Sequence, residues 1–352
     1  MQKSLSIFSS KKIPFAFILC LFLLILTEFV SRQLSVYYMP TQNLLYLHRR
    51  SFLSQENPLK YEGVIIGDSR VMAVNAQKIS AAISKKIGRE FNVYNFSVFY
   101  SDIRHFYLIL KNYLEKHESP EIVFLSLMPE SVFGGWNVTG DIMNSREGYI
   151  SRLCLLSSVH DLWLTYPKLF FLKKLLIPKI ENMSYFLTYR LYLRHFNSAQ
   201  LKENHLQRIE DGMRKTSGGI YFAQDIPLTE ETLKGMAFYN QDVNINVDSA
   251  KWYKKIIQLA ERKEIPVIIF NAPYPDTVYN MREKNGFNRR YNRFIEEISK
   301  EFKNVYFVLP IIDKYKDDLS ADWIHLNLKG VEIFNKQLTQ KLGDIVRKID
   351  NL

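Results

Sequence analysis

The chain has 352 residues, of which 47% are hydrophobic and 14% aromatic. This composition excludes a largely disordered protein, and the length suits one large domain or two small ones. The formal net charge of +11 suits binding to nucleic acid, to an anionic membrane or to an anionic polymer. Because no dense lysine and arginine run with a nucleic-acid-binding motif accompanies the charge, we predict a cell-envelope surface and no nucleic-acid partner.

The N-terminal region contains an apolar run over residues 13–30, preceded by Lys3, Lys11 and Lys12. The run is close to the lower length limit of a bilayer-spanning helix. No small-x-small cleavage site and no lipobox cysteine follows it, which favours an uncleaved transmembrane anchor over a cleaved signal peptide. The lysines favour a cytoplasmic segment over residues 1–12 and a body outside the cytoplasm. We therefore predict a single-pass membrane protein.

The segment after the anchor, residues 31–60, is polar and carries Pro40 and Pro58 as breakers, which predicts a stalk. The two cysteines are Cys20, inside the anchor, and Cys154, alone in the body. They allow no disulfide within the exported part and belong to no metal-binding spacing. We expect neither a metal nor a cofactor.

Apolar runs and helix-like segments alternate through much of residues 61–352. The predicted strands are residues 63–66, 91–96, 121–127, 266–271 and 305–309. The predicted helices are residues 71–86, 102–116, 250–263, 288–302 and 328–349. This alternation predicts βαβ units and an α/β fold, a three-layer α/β/α sandwich with a mainly parallel sheet of about five strands.

The first predicted strand ends at a Gly-Asp-Ser turn that contains Ser69. Ligands of open α/β sheets bind beyond the carboxyl ends of the strands, so Ser69 would lie at a site-forming edge. A helix N-terminus beside it would favour developing negative charge. Ser69 is thus a candidate nucleophile, and the alternative is that the turn merely caps the following helix.

A second motif supplies what a serine nucleophile needs. A serine hydroxyl requires a base, usually histidine, and the base requires a third group that fixes its tautomer. Asp322 and His325 lie three residues apart, just before the last predicted helix. One short loop could therefore present both groups, with the carboxylate behind the imidazole.

Together, the early Gly-Asp-Ser and the late Asp-x-x-His-x-Asn-x-x-Gly resemble the motifs of the SGNH/GDSL hydrolase superfamily. The resemblance implies an SGNH/flavodoxin-like fold. It also implies that Ser69 is the nucleophile, His325 the base and Asp322 the orienting acid.

The same superfamily implies an oxyanion hole with a glycine after the second strand and an asparagine after the third. Ser97 occupies the glycine position, where its backbone N–H could still donate. The third strand is followed by Glu130 and no Gly-x-Asn-Asp, which departs from the standard hydrolases. Asn95 could replace the missing donor or bridge two turns. Asn271, after the fourth strand, is a further polar group at the sheet edge.

Residues 130–249 interrupt the alternation and are too long for a plain loop. They mix leucine and aromatic residues with lysine and arginine, and Pro167 and Pro178 break them. We predict a largely helical insertion between the third and fourth strands. It could pack on the sheet domain, cover the active site or rest on an anionic bilayer.

The anchor, the exported body and the altered third block resemble a subset of the superfamily, the D-alanyl transfer proteins of teichoic acids and the O-acetyl transfer proteins of exopolysaccharides. The resemblance implies a membrane-tethered serine acyltransferase or esterase acting on an acylated envelope glycan or lipid through an acyl-serine. It allows an integral-membrane acyl donor protein as a partner. The alternative is a catalytically silent SGNH-fold binding or assembly protein of the envelope. A nucleic-acid binder is the third hypothesis, and it rests on net charge alone.

Overall fold

The computed structural model describes residues 18–23, 25–26, 53, 59–98, 103–126, 129–132, 213, 215–219 and 247–351. Residues 18–23 and 25–26 are helical and exposed. None of the helices within these ranges combines the length and the apolar character that a bilayer crossing requires. Four predicted segments lie wholly or mostly outside the described residues. They are the cytoplasmic segment (residues 1–12), the rest of the anchor (13–30), most of the stalk (31–60) and most of the insertion (130–249).

The described residues form two parallel sheets. The strands are β1 (Gly63–Ile66), β2 (Val93–Asn95), β3 (Ile122–Ser126), β4 (Val267–Phe270), β5 (Tyr274–Pro275), β6 (Val305–Phe307) and β7 (Lys314–Tyr315). The main sheet has the order β2-β1-β3-β4-β6, and every pairing in it is parallel. The predicted sheet of about five mainly parallel strands is confirmed. The small sheet of β5 and β7 is not foreseen from the sequence, because each of its strands has only two residues.

From residue 59 onward, the described region contains seven α-helices with defined bounds and a short 3-10 helix, Asp317–Leu319. The α-helices are α1 (Ala76–Ile87), α2 (Ile103–Lys116), α3 (Pro129–Val132), α4 (Val247–Glu261), α5 (Asp276–Lys284), α6 (Phe287–Glu301) and α7 (Leu328–Asp350). α1 begins later than the predicted residue 71, because Asn75 caps it by accepting a hydrogen bond from the Lys78 N–H at 3.0 Å. α3 and α5 were not predicted, since α3 is a single turn and α5 buries only Val278 and Arg282.

Helices cover both faces of the main sheet. Successive strand residues point to opposite faces. Val64 and Ile66 accordingly join a cluster with residues of α2, α4 and α6, whereas Ile65 joins a cluster with residues of α1 and α7. A sheet that is buried on both sides needs apolar residues at nearly every strand position, which explains the continuous apolar runs in the sequence.

The last helix, α7, lies along α1 and holds the loop that follows β1. Asn335 on α7 accepts a hydrogen bond from the Asn75 N–H at 2.9 Å and donates one to the Ala73 carbonyl at 3.0 Å. Lys86 on α1 pairs with Asp344 on α7 at 2.6 Å. These contacts bring the beginning of α7 close to the carboxyl end of β1.

Residues 31–60 are the predicted stalk, and the end of this segment contacts the α/β domain. Leu53 is buried in the core beside α2. His117, just after α2, receives the Leu59 N–H at Nδ1 at 3.1 Å, and its Nε2 lies 3.1 Å from the Leu53 carbonyl oxygen. This imidazole therefore joins the segment before β1 to the end of α2.

Candidate active site

Ser69 lies at the apex of a tight turn after β1. The Val71 N–H donates to the Asp68 carbonyl at 3.2 Å, and the Arg70 N–H donates to the Asp68 carboxylate at 2.8 Å. The turn is therefore closed by one backbone bond and one side-chain bond. Asp68 and Arg70 are buried, whereas Ser69 is half-buried. The hydroxyl of Ser69 is thus the accessible group of this turn.

The glycine before this turn is required by close packing. A Cβ placed on Gly67 would lie 2.3 Å from Val71 Cγ2 and 2.8 Å from Ser126 Cβ. A side chain at this position would force the turn away from β3, because heavy atoms do not approach so closely. The Gly-Asp-Ser motif is therefore a local folding unit: the glycine allows close approach, the aspartate closes the turn and the serine is presented.

Asp322 builds the loop that carries His325. Its Oδ1 accepts hydrogen bonds from the Ile324 N–H at 2.8 Å and the His325 N–H at 2.7 Å. Its Oδ2 lies 2.7 Å from His325 Nδ1. One carboxylate oxygen thus shapes the loop, and the other orients the imidazole.

The rest of the second motif fixes this loop to α7. Asn327 caps α7 by accepting from the Gly330 N–H at 3.0 Å, and it donates to the Asp318 carbonyl at 2.7 Å. A Cβ on Gly330 would lie only 2.1 Å from the Leu319 carbonyl oxygen. The Asn-x-x-Gly spacing therefore reflects helix capping and close backbone approach next to His325.

Ser69, His325 and Asp322 form a continuous chain of contacts. Ser69 Oγ lies 2.8 Å from His325 Nε2, on the side of the ring opposite to the Asp322 contact. An imidazole that donates its Nδ1–H to the carboxylate leaves Nε2 to accept the serine proton. This is the arrangement of nucleophile, base and orienting acid that activates a serine.

The charge on Asp322 is maintained by its hydrogen bonds. Burial acts against the ionised carboxylate, but the hydrogen bond to His325, together with the two loop N–H groups, outweighs it and holds the pKa of Asp322 below its ordinary value. Asp322 is therefore ionised near neutral pH, and its carboxylate could stabilise a protonated imidazole at His325.

Asn95 and Ser97 are hydrogen-bonded to each other inside the fold. The fully buried Asn95 amide donates to the Val71 carbonyl at 2.9 Å and the Val74 carbonyl at 3.1 Å. Its oxygen accepts the Ser97 N–H at 2.9 Å. All of these donors are used within the fold, so the oxyanion role expected for Asn95 and Ser97 has no support in the geometry. Asn95 has instead the other role considered for it, that of joining two turns.

Asn271 likewise uses its donors inside the protein. Its amide nitrogen donates to the Tyr291 hydroxyl at 3.1 Å and to the Ile311 carbonyl at 2.9 Å. Its oxygen accepts no hydrogen bond from any residue that the structure describes. Asn271 follows β4 at the carboxyl edge of the sheet, but with its donors used it could only accept from a ligand.

The backbone N–H of Ser69 is a candidate oxyanion donor. It donates to no acceptor within the described ranges. A backbone N–H on the nucleophile itself lies next to the carbonyl under attack and can stabilise the oxygen as it becomes negative.

A buried charge network, which the sequence did not reveal, lies directly behind the Ser69 turn. Its members are at most 5% exposed, and they are Asp68, Arg70, Glu130, Tyr274 and Arg282. Arg70 Nη2 lies 3.2 Å from Asp68, and Arg70 Nη1 lies 3.5 Å from Glu130. Arg282 also pairs with Glu130. The sequence signal was limited to an arginine directly after the Gly-Asp-Ser turn, since the other partners come from distant segments with no fixed spacing.

Comparison with protein-family models and with curated proteins finds no match to this chain. The resemblance to SGNH hydrolases therefore stays an inference from two motifs and from the arrangement of the residues in them. Within the described ranges, no group of three or more histidine, cysteine, aspartate or glutamate side chains could hold a metal ion.

Proposed function

We propose that the protein is a membrane-tethered SGNH-type serine acyltransferase or esterase that acts on an acyl ester of a cell-envelope glycan or lipid. The observation that carries the proposal is the contact chain of the triad, with Ser69 Oγ 2.8 Å from His325 Nε2 and His325 Nδ1 2.7 Å from Asp322 Oδ2. A half-buried serine in such a chain is placed for nucleophilic attack on an acyl carbon.

The first half of the proposed reaction acylates the enzyme. Ser69 Oγ attacks the ester carbonyl carbon while its proton passes to His325 Nε2. The carbonyl oxygen becomes negative and receives a hydrogen bond from the Ser69 N–H. The carbon–oxygen bond of the ester then breaks, His325 gives its proton to the departing alcohol, and the acyl group remains on Ser69.

The second half transfers the acyl group to an acceptor. A hydroxyl or a water molecule gives a proton to His325 Nε2 and attacks the acyl-serine carbon. Collapse of the intermediate breaks the bond between the acyl carbon and Ser69 Oγ, releases the new ester or acid, and returns the proton from His325 to Ser69 Oγ. Water as acceptor makes the protein an esterase, and a sugar or polyol hydroxyl makes it a transferase. The triad serves both reactions equally, so the acceptor must be selected by residues outside it.

The proposed cellular setting rests on the N-terminal apolar run and on the net charge of the whole chain. The apolar run at residues 13–30 and the lysines before it support a single-pass anchor with the body outside the cytoplasm. The net charge of +11 suits an anionic polymer or membrane surface. An acylated envelope glycan or lipid, with an integral-membrane acyl donor protein, would be the partners in that setting.

The insertion, residues 130–249, is the proposed source of acceptor selectivity. Residues 215–219 within it contact the carboxyl end of β2, where the Asn95 N–H donates to the Ser217 carbonyl at 2.9 Å. A Cβ on Gly219 would lie 2.6 Å from the Val74 carbonyl oxygen, in the loop after Ser69. These contacts place part of the insertion at the edge of the sheet where Ser69 lies, which supports the proposal that the insertion borders the site.

The second candidate, a catalytically silent SGNH-fold binding or assembly protein, is favoured by one observation. The donors of Asn95 and the N–H of Ser97 are used inside the fold, which leaves the oxyanion hole with fewer donors than the resemblance implies. Loss of one such donor costs roughly 100- to 1,000-fold in rate. A protein with a strongly weakened hole could keep the fold and bind an acylated polymer without turning it over.

The full chain in detergent, incubated with p-nitrophenyl acetate, distinguishes the two. The proposed enzyme should release p-nitrophenol and carry an acetyl group on Ser69, detected by mass spectrometry of the peptide. Ser69→Ala should do neither. A folded wild-type protein that neither releases p-nitrophenol nor acquires an acetyl group would favour the silent binding protein.

A further inference from the structure

The charge network behind Ser69 is costly to bury, and stability alone is a poor reason for it. Two acidic and two basic side chains, those of Asp68, Glu130, Arg70 and Arg282, are all at most 5% exposed. The desolvation of buried ion pairs commonly cancels their attraction, and apolar replacements are often equally stable. A network of this kind is better explained by the geometry that it imposes.

The network connects the nucleophile turn to two neighbouring parts of the sheet edge. Asp68 and Arg70 are the residues on either side of Ser69. Glu130 lies on α3, just after β3, while Tyr274 and Arg282 lie on β5 and α5, after β4. Asp68 and Arg70 therefore belong to a network that also includes residues following β3 and residues following β4, outside the turn itself.

Tyr274 is the central member of the network. Its hydroxyl donates to Glu130 at 2.8 Å and accepts from Arg70 Nη1. The Cζ of Arg282 lies 4.0 Å from the centre of the Tyr274 ring, within cation–π range, and that of Arg70 lies 5.4 Å from it. One phenol thus supports both guanidinium groups and the carboxylate between them.

Glu130 and Tyr274 keep their protonation states around neutral pH. Burial acts against the charge of Glu130, but Arg282 and Arg70 hold the pKa of this carboxyl below its ordinary value. Burial raises the pKa of Tyr274 to about 12, so its hydroxyl keeps the proton that it donates. Glu130 therefore stays charged, and Tyr274 stays neutral, around neutral pH.

We propose that Glu130 and Tyr274 are positioning residues for Ser69. Through Arg70 they hold the Asp68–Arg70 turn so that Ser69 Oγ stays within hydrogen-bonding distance of His325 Nε2. The inference rests on the proposed function, because it assigns a role in placing the nucleophile of that reaction. In this proposal Glu130 supports the nucleophile turn and does not contact the substrate. It lies after β3, where the resemblance implies an asparagine that donates to the substrate.

The test compares two buried tyrosines in the full-length protein. Tyr274→Phe removes only the hydroxyl that joins Arg70 to Glu130 and keeps the ring and all four charges. Misplacement of a reacting group by about 1 Å can cost about 100-fold in rate. We expect acetylation of Ser69 by p-nitrophenyl acetate to slow by about 10- to 100-fold in kcat, with KM and the circular dichroism spectrum unchanged. Tyr113→Phe, at a tyrosine 1% exposed on α2, should leave kcat within about twofold, since it removes a hydroxyl that takes no part in the network.

A second readout separates this inference from the proposed function. The ¹⁵N NMR signals of the His325 imidazole report whether Nε2 accepts the Ser69 hydroxyl. If the wild type neither hydrolyses the ester nor acquires an acetyl group on Ser69, the proposed function fails, and the NMR comparison still tests the positioning. The inference is supported if Tyr274→Phe weakens the Nε2 hydrogen bond and Tyr113→Phe does not. An unchanged Nε2 signal in Tyr274→Phe overturns it, as does an unchanged kcat in an active protein.

Should Tyr274→Phe fail to fold, Glu130→Gln is compared in the same two measurements. This variant keeps an acceptor for Tyr274.

Discussion

Ser69 Oγ and His325 Nε2 lie 2.8 Å apart although 256 positions of sequence separate the two residues. α7 explains how they meet. His325 lies just before this helix, and Asn335 on the helix binds the backbone of Ala73 and Asn75, in the loop after Ser69. The beginning of α7 is therefore the structural link between the two halves of the candidate site.

Gly330→Ala should disturb that link. The added Cβ would lie 2.1 Å from the Leu319 carbonyl oxygen, so α7 or the loop before it has to move. Overpacking of this kind costs about 1–3 kcal/mol, and we expect a lower free energy of unfolding together with weaker modification of Ser69. Urea unfolding and acetylation of Ser69 measure the two effects.

Gly343→Ala is the matched control on the same helix. Its Cβ would meet the Lys86 Cδ at 2.9 Å, and a lysine side chain can move aside. Alanine also favours a helix over glycine by up to about 1 kcal/mol. This variant should be as stable as the wild type or more so. Equal effects of the two substitutions would show that the approach to Leu319 is unimportant.

Asp322→Asn should impair the base and leave the loop nearly intact. The Asn oxygen can still accept the two loop N–H groups, but an amide in place of Oδ2 no longer selects the imidazole tautomer that accepts from Ser69. A comparable change in serine proteases costs about 10,000-fold in rate. We expect loss of Ser69 acetylation by at least about 100-fold, with unchanged circular dichroism. Activity close to that of the wild type would remove Asp322 from the proposed mechanism.

The same carboxylate gives a pH dependence of stability. Because the pKa of Asp322 is lower in the folded protein than its ordinary value, its charged form stabilises the fold above about pH 4, and this contribution is lost as the pH falls through the folded pKa. The difference in unfolding free energy between wild type and Asp322→Asn should therefore shrink as the pH is lowered from neutral to about 3. A difference that stays constant over this range would contradict the assignment.

His117 should make the contact between the predicted stalk and α2 sensitive to acid. Burial, together with the neighbouring charge of Lys116, lowers the pKa of His117, although the Leu53 carbonyl opposes the shift. The ring must also be neutral because its Nδ1 accepts a hydrogen bond from the Leu59 N–H. A lowered folded pKa means that this stability is complete above about pH 6.5 and decreases as the unfolded chain takes up a proton at lower pH.

His117→Gln removes that proton uptake. We expect the wild type to lose stability between about pH 6.5 and 5 more steeply than His117→Gln does, measured by urea unfolding at several pH values. The variant should be less stable at neutral pH, where it lacks the contacts to Leu53 and Leu59. Parallel pH profiles for the two proteins would show that His117 does not titrate on unfolding.

Ser69 and His325 should act as one unit. Ser69→Ala and His325→Ala should each abolish acetylation, and the double variant should be scarcely worse than either single variant, because members of a triad lose their effect together. Hydrolysis of p-nitrophenyl acetate by all three proteins measures this. Losses that add in free energy would show that the two residues work separately.

The sheet could be predicted from the sequence because its strands are buried on both faces. Runs such as residues 63–66 and 266–271 are apolar at nearly every position, and chain order together with the βαβ pattern predicts parallel pairing. The closeness of the two motif segments could be expected for the same reason, since the carboxyl ends of parallel strands share one edge. The contact between Asp322 and His325 could also be expected, because the two residues lie three positions apart in one loop.

The rest depends on tertiary contacts that leave little trace in local sequence. Whether Asn95 donates to a substrate or joins two turns depends on the backbone positions of Val71 and Val74. The network of Glu130, Tyr274 and Arg282 combines α3, β5 and α5, elements that are short or weakly amphipathic. These residues have no periodic pattern, and only the folded geometry makes them neighbours of Ser69.

The most direct test of the account is reaction of the full-length protein with a fluorophosphonate probe, followed by mass spectrometry of the labelled peptide. A phosphonate reacts with a serine only when a nearby base activates it, and it needs neither the native acyl group nor the native acceptor. We predict a single adduct on Ser69, lost in Ser69→Ala and strongly slowed in His325→Ala and Asp322→Asn. A correctly folded wild-type protein that forms no adduct, or one that is labelled at another serine, would contradict the assignment of Ser69 as an activated nucleophile.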